Sequence, residues 1–291
     1  MTSPSIQWYP GHIARAEKQL RHQLDRVDLV LEVCDARILL ASRNPCLERW
    51  AGNKPRVLVV NRRDMIPPAA RSGWHRWLQQ QGEDPIWCDG RGGGGRKTLH
   101  QATVDAGGAL NARRQQRGLR PRPVRALMLG FPNVGKSALI NRLVGRRAVA
   151  SERRAGVTRS LQWVRVGGQV DLLDAPGILP PRLQDQRAAL LLAICDDIGQ
   201  AAYDHEPVAQ ALLQCLANLG PPHVDQPLTG LLADRYGTTV DLQAPHRWLQ
   251  AAADDHTSGC PARMAQRLLD DFRKGRLGPI ALQAPQSSPQ G

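Results

Sequence analysis

The sequence predicts an α/β fold, a mostly parallel sheet covered by helices, followed by a smaller all-helical domain. From Asp28 to about Asp174, short β-branched or apolar runs alternate with helical patterns, as βα units require. After Gly177 the strand signals fade and apolar residues recur at helical spacing, as in Leu183 to Ile194 and Val208 to Leu219. Within the first region stands "GFPNVGKS" at 130–137, with the strand-like "VRALMLG" before it and the helical "SALINRLV" after it.

In chain order, the strand candidates are Leu29 to Cys34, Arg56 to Asn61, Pro85 to Cys88, Val124 to Gly130, Leu161 to Val166 and Val170 to Asp174. "RGGGGR" at 91–96 breaks regular structure and reads as a loop. The helix before the fourth strand ends in "NARRQQRGLRPRPVR", Asn111 to Arg125, whose arginines are either a solvated helix end or a contact to RNA. "PARMAQRLLDDFRKGRLGPIALQ" closes the folded part with an amphipathic helix and a short extended piece; "APQSSPQG" reads as a disordered tail. The expected division is residues 1–178, 179–283 and a tail at 284–291.

With 291 residues the chain can bury two cores. Its longest apolar run, Ala188 to Cys195, is too short to cross a bilayer, and no basic stretch with an apolar core opens the chain. A soluble cytoplasmic protein without a membrane partner is expected. No heptad pattern suggests association, so a monomer is expected. Cysteines 34, 46, 88, 195, 215 and 260 lack CxxC spacing and read as buried free thiols. A formal charge of +13 favours a polyanionic partner, with nucleic acid foremost. Only five of the 39 Lys and Arg residues are lysine, so Lys136 stands in a chain that otherwise avoids that residue.

"GFPNVGKS" matches GxxxxGK[ST] in the required strand–loop–helix context. Backbone N–H groups of Asn133, Val134, Gly135, Lys136, Ser137 and Ala138 can turn onto phosphates at the positive end of a helix. The Lys136 ammonium reaches the β- and γ-phosphates, and the Ser137 hydroxyl binds Mg²⁺. In "DLLDAPG" Asp174 ends a strand and can hold Mg²⁺ through water, while the Gly177 N–H can sense the γ-phosphate. Between them, "RRAGVTRS" offers the Thr158 hydroxyl to complete the Mg²⁺ shell.

"NRRD" at 61–64 follows the strand "RVLVV", at the end where open α/β sheets place ligand contacts. Asp64 can accept from the N1–H and 2-amino groups of guanine, which adenine does not offer. Asn61 can meet the other edge of the base and brace the phosphate loop. Arg62 takes the place of a lysine whose stem would lie along the base, and a guanidinium can stack there. Base reader and phosphate loop thus occur in reversed order along the chain. A circular permutation accounts for this, because it moves one motif ahead of the other while preserving their arrangement in space.

At this point the chain resembles the circularly permuted ribosome-assembly GTPases over nearly its full length. The likeness rests on "IQWYPGHIARA" at 6–16, "DARILLASRNP" at 35–45, "NRRD", "GFPNVGKS", "AGVT", "DAPGIL" and "DDFRKGRLGPIAL". It implies a circularly permuted GTPase domain that binds GTP and GDP, and "WCDGRGG" stands where a second base-contacting loop has a Ser-Ala pair, with Cys88 and Asp89 as its contacts. Ile178 follows DxxG where many GTPases place a water-orienting glutamine, and an apolar side chain cannot orient water. The resemblance implies that His12 takes this catalytic role beside Lys136, and that Asn133 helps hold a K⁺ ion near the phosphates. It further implies a partner in the precursor of the large ribosomal subunit and its rRNA, contacted by the helical domain at 179–283 and the basic linker, with the particle stimulating hydrolysis. Two other classes compete: an RNA-binding scaffold with a decayed nucleotide site, against which Lys136, Ser137, Thr158 and Asp174 stand, and a P-loop ATPase of another lineage, which competition by ATP would reveal.

Overall fold

Seven consecutive buried residues, Leu29–Asp35, form the central strand β1. Such a run without polar alternation belongs to a strand covered on both faces. A computed structural model describes residues 20–149, 162–174, 185–199, 203–225, 228–238 and 244–285. The remaining strands are Arg56–Asn61 (β2), Ile86–Trp87 (β3), Val124–Leu129 (β4), Gln162–Val166 (β5) and Val170–Asp174 (β6). The helices are Leu47–Ala51 (α1), Pro68–Gln80 (α2), Arg96–Gln116 (α3), Lys136–Val144 (α4), Gln186–Cys195 (α5), His205–Ala217 (α6), Leu228–Tyr236 (α7), Pro245–His256 (α8) and Pro261–Arg273 (α9).

The sheet order is β3-β2-β1-β4-β6-β5, and every neighbouring pair is parallel except β5 with β6. β4, which leads into the phosphate loop, lies between β1 and β6. From this middle the chain spreads one way through β1, β2 and β3 and the other way through β6 and β5. The carboxyl ends of β1 and β4 therefore form a topological switch point, where open α/β sheets bind ligands. Base reader and phosphate loop, reversed in sequence, end adjacent halves of one sheet edge, as the permutation expects.

Differences from the expected boundaries have local causes. β3 spans two residues rather than four, since Pro85 has no N–H to donate and the chain turns at Asp89. α5 starts at Gln186, where the Asp185 carboxylate accepts the N–H groups of Arg187 and Ala188 at 2.8 and 3.1 Å. The closing extended piece makes one antiparallel bridge, Val224 with Ile280.

The arginine-rich linker before β4 is fastened at Arg122, and Arg114 Nε donates to the Arg120 carbonyl at 3.1 Å. Arg122 donates two 2.7 Å bonds to the Asp28 carboxylate, and the Asn111 amide pairs with the Arg122 main chain at 3.0 and 3.1 Å. Arg122 is thus structural, while Arg113, Arg117 and Arg120 remain exposed. Further along, α3 lies so close to β4 that a Cβ added at Gly107 would sit 2.2 and 2.6 Å from the two methyls of Val124. A valine at a strand start cannot swing away from that clash. Gly107→Ala is expected to lower stability by about 1–3 kcal/mol, measurable by urea unfolding; an unchanged midpoint would mean the helix stands off the sheet.

One apolar cluster runs from Leu29 and Val33 of the sheet through Leu192, Leu212 and Leu268 to Leu282. Main-chain bonds add to it, from Ile280 to the Met65 carbonyl and from Leu282 to the Arg37 carbonyl, both 2.8 Å. The expected division at residue 178 falls outside the described residues. No described helix is long and apolar enough to cross a membrane.

Candidate nucleotide site

The phosphate loop leaves β4 and enters α4 at Lys136, so the first N–H groups of that helix face the turn. Gly135 is required there twice over. Its φ is 99°, and an added Cβ would lie 2.3 Å from the Asn61 side-chain nitrogen. Lys136 is buried, and its Nζ donates to the carbonyls of Phe131 at 2.8 Å and Gly130 at 3.2 Å. Burial lowers its pKa to about 8, against the pull of Asp174 and Asp197 in the opposite direction.

At the second residue of α4, the Ser137 hydroxyl donates to Asp174 Oδ2 at 3.1 Å. The other oxygen of Asp174 is buried without a hydrogen-bond partner among the described residues, and burial raises the pKa of this carboxyl. A hydroxyl beside an unsatisfied carboxylate at the end of a strand is an all-oxygen donor set suited to Mg²⁺.

Asn61 joins the two halves of the site. Its Nδ2 donates to the Val134 carbonyl at 2.8 Å, and its Oδ1 accepts the Gly90 N–H at 3.0 Å. One side chain thus ties base turn, phosphate loop and the 88–95 loop together, and the expected bracing is present. Ala138 faces Gly90, where an added Cβ would meet its own at 3.4 Å. Arg62 adopts a left-handed conformation, φ 61°. Its guanidinium donates to the Asn133 carbonyl and lies 3.2 Å from the Asp35 carboxylate. In this structure Arg62 grips the phosphate loop with the group that was expected to stack on a base.

Asp64 sits in the turn Arg63–Met65 and is exposed. Partial desolvation, then the neighbouring Asp89, raise its pKa above the ordinary carboxylate value. It is an open acceptor at the rim. Cys88 is buried, its thiol 3.9 Å from the Gly95 carbonyl and pushed up to about 12 by burial. The Asp89 carboxylate accepts the N–H groups of Arg91 and Gly92, each at 2.8 Å, and so folds the glycine-rich loop on itself. The side chains of both residues serve the loop, leaving its main chain to face the site.

Asn133 has φ 56°, and its Nδ2 donates to the Asp196 carbonyl at 2.7 Å. That contact belongs to a group of residues sequence reasoning did not assign: Asp35, Arg37, Asp196 and Asp197. Asp35 ends β1 and receives Arg37 at 3.0 and 2.7 Å. Burial pushes the Asp35 carboxyl up, but Arg37 and Arg62 outweigh it and hold its pKa below the ordinary value. An acidic doublet directly after the apolar run "LLLAIC" was the available signal for the other two. His12, Thr158 and Gly177 lie outside the described residues.

Residues 125–224 match the family model described as 50S ribosome-binding GTPase. The chain is 32% identical to ribosome biogenesis GTPase A of Bacillus pumilus, over 97% of this chain and 100% of the relative. It is also 32% identical to mitochondrial ribosome-associated GTPase 1 of Xenopus tropicalis, over 72% of this chain and 69% of that one. The crystal structure of GNP-bound YlqF from T. maritima shares the fold with a TM-score of 0.62 at 20% identity, over 94% of this chain and 100% of that chain. The reversed motifs, the strand order that reunites them and this full-length identity converge: the chain belongs to the ribosome biogenesis GTPase A family of circularly permuted GTPases.

Proposed function

We propose that the protein binds GTP at the β1/β4 switch point and hydrolyses it late in assembly of the large ribosomal subunit, with the precursor particle stimulating the reaction. The observation that carries this reading is the pair of hydrogen bonds of Asn61, whose Nδ2 donates to the Val134 carbonyl and whose Oδ1 accepts the Gly90 N–H, so that base turn and phosphate loop are tied together. Ser137, Asp174 and Thr158 would hold Mg²⁺, which offsets the negative charge of the phosphates when bound. Asn133, its amide nitrogen held by Asp196, keeps its oxygen for a K⁺ ion. Lys136, released from the carbonyls of Gly130 and Phe131, meets the phosphates, and the Gly177 N–H senses the last of them.

His12 positions the attacking water when the segment around it is brought to the site by the particle. The protein acts in the cytoplasm as a monomer. Arg113, Arg117 and Arg120 on the linker, with Arg91, Arg96, Lys97, Arg142, Arg146 and Arg147 at the rim of the base loop, are exposed cations suited to rRNA phosphates. GTP hydrolysis in K⁺ buffer is expected to be slow alone, to rise strongly with large subunits, and to fall by roughly 10²-fold or more in His12→Ala. Equal rates with and without subunits would reject the ribosomal trigger, and equal rates in K⁺ and Na⁺ would reject the K⁺ ion.

A further inference from the structure

Asp197, just past the end of α5, is fully buried, and neither of its carboxylate oxygens has a hydrogen-bond partner among the described residues. Burial and then the neighbouring Asp35 push this carboxyl well above the ordinary carboxylate range, and the guanidinium groups of Arg62 and Arg37 pull the other way. The nearest guanidinium is that of Arg62, with Nη2 3.9 Å from Asp197 Oδ1. The same nitrogen donates to the Asn133 carbonyl of the phosphate loop, while Nε faces Asp35 at 3.2 Å. Two buried carboxylates therefore flank one guanidinium, and the nitrogen on the Asp197 side also holds the loop. Asp35 is already occupied by Arg37, whereas Asp197 has no such second partner.

The segment carrying Asp197 is itself firmly held. Arg273 donates to the carbonyls of Ile194 and Ala193 at 2.9 and 2.8 Å, and Arg37 donates to that of Cys195 at 3.3 Å. Cations on the last carbonyls of α5 suit the negative end of a helix. The Asp197 N–H closes the turn onto the Leu192 carbonyl at 2.9 Å, and the Asp196 carbonyl takes the Asn133 amide. Asn133 is thus held at two points, its carbonyl by Arg62 and its side chain by Asp196.

We propose that Asp197 is a positioning residue of the nucleotide site: its buried carboxylate, with that of Asp35, directs Arg62 onto the Asn133 carbonyl, so that the end of α5 sets the shape of the phosphate loop. A lysine at 62 would offer a single point of charge in place of a planar fork, and could not face both carboxylates and the carbonyl at once. Asp197 acts on the loop through Arg62 and adds to the field at Lys136, so it bears on phosphate binding and leaves the base edge to Asp64.

That separation supplies the test, which rests on guanine-nucleotide binding at this site. GMP lacks the β-phosphate that the loop cradles, so a distorted loop weakens GDP more than GMP. Binding of fluorescent GDP and GMP to the full chain is measured for wild type, Asp197→Asn, Arg62→Lys and the double variant. Asp197→Asn is expected to weaken GDP about tenfold and to shrink the GDP-over-GMP preference by a similar factor. The double variant is expected to lose little beyond Arg62→Lys, because the two side chains act as one unit.

Multiplicative losses in the double variant would overturn the proposal, as would a fall in melting temperature that leaves the GDP-to-GMP ratio intact. Should Asp197→Asn not fold, Arg62→Lys at its partly exposed position decides alone: an unchanged ratio there rejects the clamp. If wild type binds neither nucleotide, the site reading itself fails. If every variant binds GDP as wild type does, the clamp alone fails.

Discussion

Lys136→Met is expected to cost the most, roughly 10²–10³-fold in GTP turnover with large subunits present. On the proposed reading Lys136 is the cation that the loop offers to a phosphate, and without nucleotide its Nζ donates to the carbonyls of Phe131 and Gly130. Methionine fills the same channel without charge, so packing is kept and the electrostatic role is removed. Steady-state hydrolysis together with GDP binding checks this, and retained turnover would remove Lys136 from the mechanism.

The same residue predicts a pH dependence. Burial places its pKa near 8 in the nucleotide-free protein, and bound phosphates would raise it. Below pH 8 the ammonium is charged in both states and affinity is flat. Above it, the free protein has lost a proton that the complex retains, so binding must take one up. GDP affinity is therefore expected to fall toward about tenfold per pH unit above pH 8, read between pH 7 and 9. A flat profile across that range would mean that the lysine stays charged despite its burial.

Asp64→Asn is the second large effect, directed at the base. On the proposed reading the carboxylate would accept two hydrogen bonds from guanine, each charge-assisted and worth about 1.5–3 kcal/mol. An amide offers one acceptor and turns a donor toward the ring, so GTP affinity is expected to fall by roughly 10²–10³-fold. Xanthine carries an oxo group where guanine has its amine, and the new donor suits it. XTP should then bind the variant better than GTP does. Equal weakening of both, or displacement of labelled GTP from the wild type by ATP as readily as by GTP, would show that Asp64 does not read the base.

The strands were legible because a doubly covered sheet needs mostly apolar, buried runs such as Leu29–Cys34, in which Glu32 is the one charged residue. Phosphate loop and base turn were legible because each needs particular residue types at fixed spacing, and the bond from Asn61 to Val134 joins what the spacing placed apart. Arg62 was not. Its chemistry allowed both stacking and salt bridging, and the choice depends on Asp35 and Asp197, which lie 27 and 135 positions away in the chain. Asp89 escaped for a different reason, since the glycines after it present amides that only the folded loop turns toward its carboxylate.

The strand order also bears on how the chain folds as it is made. β1 and β2 pair locally, Val30 with Arg56, and β5 with β6 form a hairpin. Joining β1 to β4 waits for a far longer loop to close, Leu29 with Ala126. Until then the emerging first half presents β1, apolar on both faces, as an open edge, the kind of edge that invites pairing with another chain. The nucleotide site lies on that late seam, with Asn61 from one half and the phosphate loop from the other. A nucleotide that touches both halves lends its binding energy to closure of the seam, and so acts as a ligand of folding before it is a substrate.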